Sequence, residues 1–214
     1  MTGITESSTA WSLRIAQALQ ANTLDESVLY AGDDRRRFAR LGSMHTGRVR
    51  KAAVLIPIIA EQTPRVILTE RSSALRSHPG QISFPGGSID PTDSGPQAAA
   101  LRESHEEIGL DPQLVTILGR LPDYVTGTGF DIAPYVARLP AGVQLAADSS
   151  EVARMFTVPL AHVLEETHFR IENMIIKGNN YRFYVIEYQD NFIWGATAAM
   201  LYGLRESVAL AEMA

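Results

Sequence analysis

Glu103, Glu106 and Glu107 crowd one turn of the segment Pro96-Gln-Ala-Ala-Ala-Leu-Arg-Glu-Ser-His-Glu-Glu-Ile108. Residues three and four apart share a helix face, where like charges cost a few tenths of a kcal/mol per pair. No basic residue follows in the next turn, so the spacing predicts a cation supplied from outside. Carboxylates on a rigid surface are hard oxygen ligands suited to Mg²⁺ or Mn²⁺. Just upstream stands Phe84-Pro85-Gly86-Gly87, and paired glycines let backbone approach a ligand closely. A glycine turn feeding a carboxylate helix can hold a metal between main chain and side chains.

The helix that carries the glutamates has legible ends. Pro96 suits a first turn with Ser94 or Gly95 as cap, and Gly109 suits the left-handed residue just past the end. At roughly 100° per residue, Leu101, Ser104 and Ile108 share an arc that can face a sheet, which leaves the glutamates looking into open space. His105 then points away from Glu103.

Around this helix the pattern reads as α/β (α+β), a mixed β-sheet with helices packed on it. Residues 9–21 form an amphipathic helix with Trp11, Ile15 and Leu19 on one side. Residues 33–51 hold seven of the nineteen Lys and Arg residues and read as a solvated basic loop. Apolar β-branched runs at 52–60 and 65–71 are a pair of strands. Strands are also expected at 134–139, 155–160, 168–178 and 181–189, the last two joined by a Gly178-Asn179-Asn180 turn. The tail 196–213 is a helix weakened at Gly203. Trp194 and most of the tyrosines read as core. One domain over 1–214 is expected, with 1–50 as an extension and 51–214 as the core.

Composition narrows the function classes. The chain is 45% hydrophobic and 20% charged, with mean hydropathy −0.03, net charge −5 and a pI near 5.5. An acidic balance argues against nucleic acid as partner. There are no cysteines, which excludes disulfides, cysteine–zinc sites and a thiol nucleophile. The start MTGITESSTAWSL lacks a basic segment leading into an apolar run, and no stretch approaches about 18 apolar residues. A cytoplasmic protein with no membrane partner is expected.

The stretch 87–110 resembles the signature box of the Nudix hydrolases, supplying Gly87, Arg102-Glu103, Glu106-Glu107, Gly109 and Leu110. It departs in three places. Asp93 replaces the first Glu, eight residues rather than seven separate it from Arg102, and Ser104 fills a small or aliphatic slot. The first two departures resemble the coenzyme A pyrophosphatase branch, where GG-x-x-D-P-x-D precedes the helix. LTERSSALRSHPGQISFPGG (68–87) is similar to that branch's upstream signature, with Arg71, Ser72, Arg76, Gly80 and Phe84 in place without a gap. Segments 149–160 and 194–201 match later family segments more weakly.

The resemblance implies a Nudix-type α/β/α sandwich and metal-dependent cleavage of a pyrophosphate. The metal ligands would be Glu103, Glu106, Glu107 and the carbonyl of Gly86. Glu103, Glu106 or Glu151 would handle the proton of the attacking water. Arg71, Arg76, Gln81 and Gly87 would meet the substrate, with His78 worth testing and Arg35–Arg37 a weaker phosphate contact. Asp93 and Arg102 read as a structural ion pair. The implied substrate is coenzyme A or a derivative, cut to 3′,5′-ADP and 4′-phosphopantetheine or its acyl form. The alternatives are ADP-ribose, NADH or a nucleoside triphosphate as substrate, or a non-catalytic nucleotide sensor. A homodimer is compatible with the resemblance.

Overall fold

A computed structural model describes residues 10–21, 23–32, 35–47, 49–75 and 78–213, with the side chains of His45 and Thr46 excepted. Its spine is β1 (Arg50–Ala60), the apolar run expected to be a strand. Residues 52–58 are all buried, which requires cover on both faces of the sheet. β1 pairs in parallel with β7 (Phe130–Pro140) along its whole length, from Arg50 opposite Phe130 to Ala60 opposite Pro140.

On its other edge β1 meets β2 (Arg65–Arg71) only at Ile58–Val66 and Ile59–Arg65. The two strands then splay, and residues 82–88 fill the fork. β3 (Ile82–Ser83) pairs with β2, while β4 (Gly86–Ser88) pairs with β1. Pro85 sits at the crossing, where its missing N–H is no loss to a ladder. Its carbonyl accepts from the Leu55 N–H at 2.9 Å. β5 (Thr116–Arg120) and β6 (Tyr124–Val125) run antiparallel to β7, and β8 (Val152–Pro159) antiparallel to β2. The result is an eight-stranded mixed sheet.

Helix α3 (Pro96–Ile108) covers one face, its Ala99, Ala100 and Ile108 packing with Ala53, Leu55, Ile67, Ala133 and Tyr135. The other face packs on α1 (Ala10–Ala21) and α5 (Gly195–Met213), with Ile15, Leu19, Leu201 and Leu204 in the same core as Ile56, Ile58 and Leu68. α5 runs unbroken through Gly203, where a Cβ would stand 2.4 Å from Leu29 Cδ2. The glycine serves close packing there. No described helix is long and apolar enough to cross a membrane.

Three expectations are corrected. The basic loop is in large part a helix, α2 (Arg35–Thr46). It forms because Phe38 and Leu41, three apart, are buried, with the Phe38 ring 5.5 Å from those of Tyr30 and Tyr181. Residues 33, 34 and 48 lie outside the described residues. The last three strands, β9 (Phe169–Ile176), β10 (Asn179–Tyr188) and β11 (Asn191–Trp194), form a separate antiparallel sheet. Their hairpin turns at Lys177-Gly178, with φ of 50° and 78°, one residue before the expected place. Two left-handed residues in succession match the right-handed twist of the flanking strands. A short helix, α4 (Leu160–Leu164), links β8 to this sheet.

Candidate active site

The site is built where β1 and β2 part. α3 begins at Gly95, which makes no side-chain cap, with Pro96 as its first residue, and ends at Gly109 in the left-handed region (φ 65°). The Gly109 N–H donates to the His105 carbonyl at 2.9 Å and the Leu110 N–H to that of Ser104 at 3.4 Å. This double closure satisfies carbonyls that the helix itself leaves open. Both ends agree with the sequence.

The helix's rotation differs from the expectation. Glu107 faces inward and is 4% exposed, whereas the side chains of Glu103 and Glu106 are 18% and 55% exposed. Ala99 and Ala100 seat the helix on the sheet, and Leu101 is only half-buried. Glu107 therefore passes under the fork, where its Oε2 accepts the Gly86 N–H at 3.2 Å and its Oε1 lies 3.7 Å from Arg71 Nη1.

Burial pushes the Glu107 carboxyl up to about 7, against the Gly86 N–H and Arg71, with Glu103 and Glu151 adding to the rise. Burial also raises Glu103, opposed by Arg102 and reinforced by Glu106 and Glu151. Four carboxylates thus share one neighbourhood. The absence of a basic residue after the cluster is true of the sequence, yet Arg102 reaches it from the preceding position. Arg102 Nη1 donates to Glu103 Oε1 at 2.9 Å and Glu106 Oε2 at 3.0 Å. Its Nε and Nη2 hold Asp93 Oδ1 and Oδ2, both at 3.0 Å, and Nη2 also donates to the Ser88 carbonyl at 3.2 Å. Arg102 in turn keeps the Asp93 carboxyl below its ordinary range.

The glycines make the close approach possible. A Cβ on Gly87 would fall 2.4 Å from Glu103 Cδ, and one on Gly86 (φ 150°) would fall 2.4 Å from the Ala53 carbonyl oxygen. Glu151 stands exposed just before β8, and its carbonyl accepts the Ser72 N–H at 2.8 Å. Arg71 ends β2, donating its N–H to Gln81 and accepting from Gly80, both at 3.0 Å. His78 adopts φ 55° in the loop between them, and Arg76 lies outside the described residues. His105 is exposed, with Nδ1 3.2 Å from the Leu110 carbonyl.

The NUDIX domain family matches residues 49–177, which contain the whole of this site. The chain belongs to the Nudix family. Among its relatives, an uncharacterized Nudix hydrolase NudL of Enterobacter sp. (strain 638) is 41% identical over 152 residues, covering 71% of this chain and 79% of that one. The Photorhabdus laumondii protein of the same description is 41% identical over 159 residues, covering 74% and 85%. A solved Nudix hydrolase from M. smegmatis, RenU, shares the fold at TM-score 0.51 and 18% identity, covering 75% of this chain and 86% of that one.

Nudix hydrolases use divalent metal ions, and the donor set here suits a hard one. It consists of carboxylate and carbonyl oxygens, and a dication would offset the rise that burial, with neighbouring carboxylates, imposes on Glu103 and Glu107. Among the described residues no three acidic or imidazole groups already converge as a cage. Arg102 draws Glu103 and Glu106 to one side, and Gly86 and Arg71 hold Glu107 on the other.

Sequence reasoning missed the loop that orders this Nudix site from behind. The Ala146 and Asp148 N–H groups donate to the Ile108 and Glu107 carbonyls at 3.0 and 2.9 Å. Asp148 Oδ1 then accepts the Ser150 N–H at 2.8 Å, turning the chain toward Glu151. Asp-Ser-Ser is an Asx-turn signature, and that was the available signal. Ser88 left none, because it acts through its carbonyl.

Proposed function

We propose that this Nudix hydrolase cleaves the pyrophosphate of coenzyme A and its derivatives, releasing 3′,5′-ADP and 4′-phosphopantetheine or its acyl form. The observation that carries the reading is the gap-free upstream signature at 68–87, which runs from β2 into the glycine turn. Within it, Arg71 is drawn to Gly80 and Gln81 by two backbone bonds, which supports a segment returning to the mouth of the fork. Arg71 and Arg76 would meet substrate phosphates, with Gln81 and Gly87 lining the approach. Arg71 already lies against a carboxylate, Glu107, so an anionic substrate would compete for it.

Glu103, Glu106, Glu107 and the Gly86 carbonyl would hold Mg²⁺ or Mn²⁺, which when bound screens phosphate oxygens and acidifies water. Glu103, Glu106 or Glu151 would take the water's proton, Glu107 being engaged by Gly86 and Arg71. Asp93 positions Arg102, and Arg102 would hold two of the ligands, Glu103 and Glu106, on one nitrogen.

The test is mass spectrometry of products after incubation with Mg²⁺ and, in parallel, coenzyme A, ADP-ribose, NADH and dATP. Adenosine 3′,5′-bisphosphate appearing from coenzyme A much faster than products from the others supports the reading. Preference for another substrate would keep the hydrolase and reject the branch. No product with Mg²⁺ or Mn²⁺ would favour a nucleotide sensor.

A further inference from the structure

The three-stranded sheet lies in the order β11-β10-β9, so β9 is an edge, and among the described residues no strand pairs with its outer side. It is an apolar edge. Ile175 is 78% exposed, Ile171 39% and Met174 38%. Native proteins ordinarily blunt such an edge with charge, proline or a bulge. β9 has no proline, its pairing with β10 runs without a register shift, and its one cation, Arg170, is bonded to Glu172 and Glu187 at 2.9 and 2.6 Å.

The turn decides which backbone groups face outward. Ile176 pairs with Asn179 across the two-residue turn, so that pair is hydrogen-bonded, and hydrogen-bonded pairs alternate along an antiparallel ladder. Residues 170, 172, 174 and 176 thus spend their N–H and C=O on β10. Those of Ile171, Asn173 and Ile175 point to the open side, and the three side chains share one face.

We propose that this edge binds a second copy of the chain, two β9 strands pairing antiparallel about a two-fold axis at Asn173. In that register Ile171 lies opposite Ile175 of the other copy on both sides of the axis, and the outward backbone groups of all three residues meet their counterparts. Glu172 falls opposite Met174 and Arg170 opposite Ile176, so no like charges are juxtaposed. A register centred on Glu172 would set that carboxylate opposite itself, and one centred on Met174 would leave Ile175 and Ile171 opposite Asn173 and Lys177. One centred on Ile171 or Ile175 would leave the other isoleucine without an apolar counterpart.

Light scattering on a gel-filtration column should give a mass near 46.8 kDa, twice the 23.4 kDa of the chain. Ile175→Lys should fall to the single-chain mass with an unchanged circular dichroism spectrum. Phe192→Lys, on the opposite edge strand, should remain dimeric. A wild-type monomer, or an Ile175→Lys dimer, overturns the proposal. A second readout uses the absence of cysteine from the chain. Paired residues on the axis would be about 5.5 Å apart at Cα, within disulfide reach. Asn173→Cys treated with the thiol oxidant diamide should therefore cross-link to the double-mass species, and Leu13→Cys should not. Failure of Asn173→Cys to cross-link likewise overturns the register.

Discussion

The guanidinium of Arg102 grips the carboxylate of Asp93 through two hydrogen bonds of 3.0 Å, and turns its remaining nitrogen to Glu103 and Glu106. One planar cation thereby ties the loop before α3 to two of the helix's acidic side chains. A bidentate fork is a geometry that lysine cannot reproduce. Arg102→Lys should lower kcat by about ten- to a hundredfold, the range typical of groups that orient metal ligands. It should also raise the Mg²⁺ concentration needed for half-maximal rate. Equal metal dependence in variant and wild type would reduce the fork to a loop fastening.

Glu106 is the most exposed of the three glutamates, and its described partner is Arg102. Glu106→Gln should retain the folded circular dichroism spectrum and lose most turnover, by about a hundredfold or more if metal chemistry dominates the rate. Near wild-type kcat would remove Glu106 from the ligand set.

The two glycines should fail differently. Gly87→Ala presses on the carboxylate end of the Glu103 side chain, whereas Gly86→Ala meets the Ala53 backbone inside the sheet. The first should cut activity more than tenfold with a modest change in Tm, because one side-chain end can swing away. The second should lower Tm by several degrees, the scale of 1–2 kcal/mol in a domain of this size. Thermal melts and rates on both proteins separate the effects.

Glu107 gives a pH signature in protein stripped of metal with EDTA. Its carboxyl rises from 4.5 to about 7 on folding, so the folded chain holds a proton that the unfolded chain has released. Its stabilising contribution is complete below pH 4.5 and is lost as pH climbs through about 7. Glu107→Gln avoids ionisation altogether. It should melt higher than wild type at pH 8, by at most about 3 kcal/mol in stability, with the advantage vanishing near pH 4.5. Identical melts at pH 8 would show that the carboxylate ionises without penalty.

His162 offers a test away from the site. Its ring stacks on His168 with centroids 3.9 Å apart, and Nε2 lies 2.8 Å from the Glu187 carbonyl. Burial lowers its pKa from 6.5, opposed by the Glu187 carbonyl and aided by His168. Its neutral form therefore stabilises the fold above pH 6.5, and that contribution is lost as pH falls through the depressed value. The His162 ring proton should titrate by NMR with a midpoint below 6.5, and His168→Gln should move it upward. An unmoved midpoint would discount the stacked pair.

Much of this protein was written locally. The ends of α3 follow from Pro96 and Gly109, because φ preferences act within a few residues. The runs at 52–60 and 65–71 declare strands, because apolar β-branched side chains suit a covered sheet. The signature residues themselves, from Arg71 to Glu107, were all visible as spacing. Tertiary structure decided what depends on partners distant in sequence. Helical projection could not tell that Ala99 and Ala100, by their small size, would seat α3 with Glu107 under the fork. Nor could residues 82–88 announce that they would leave β2 for β1 at Pro85, since that path exists only because the two strands splay. The basic segment 35–46 became helix through the aromatic contacts of Phe38, and the last three strands became a sheet of their own. Which carboxylate is buried and which is open follows from those packings.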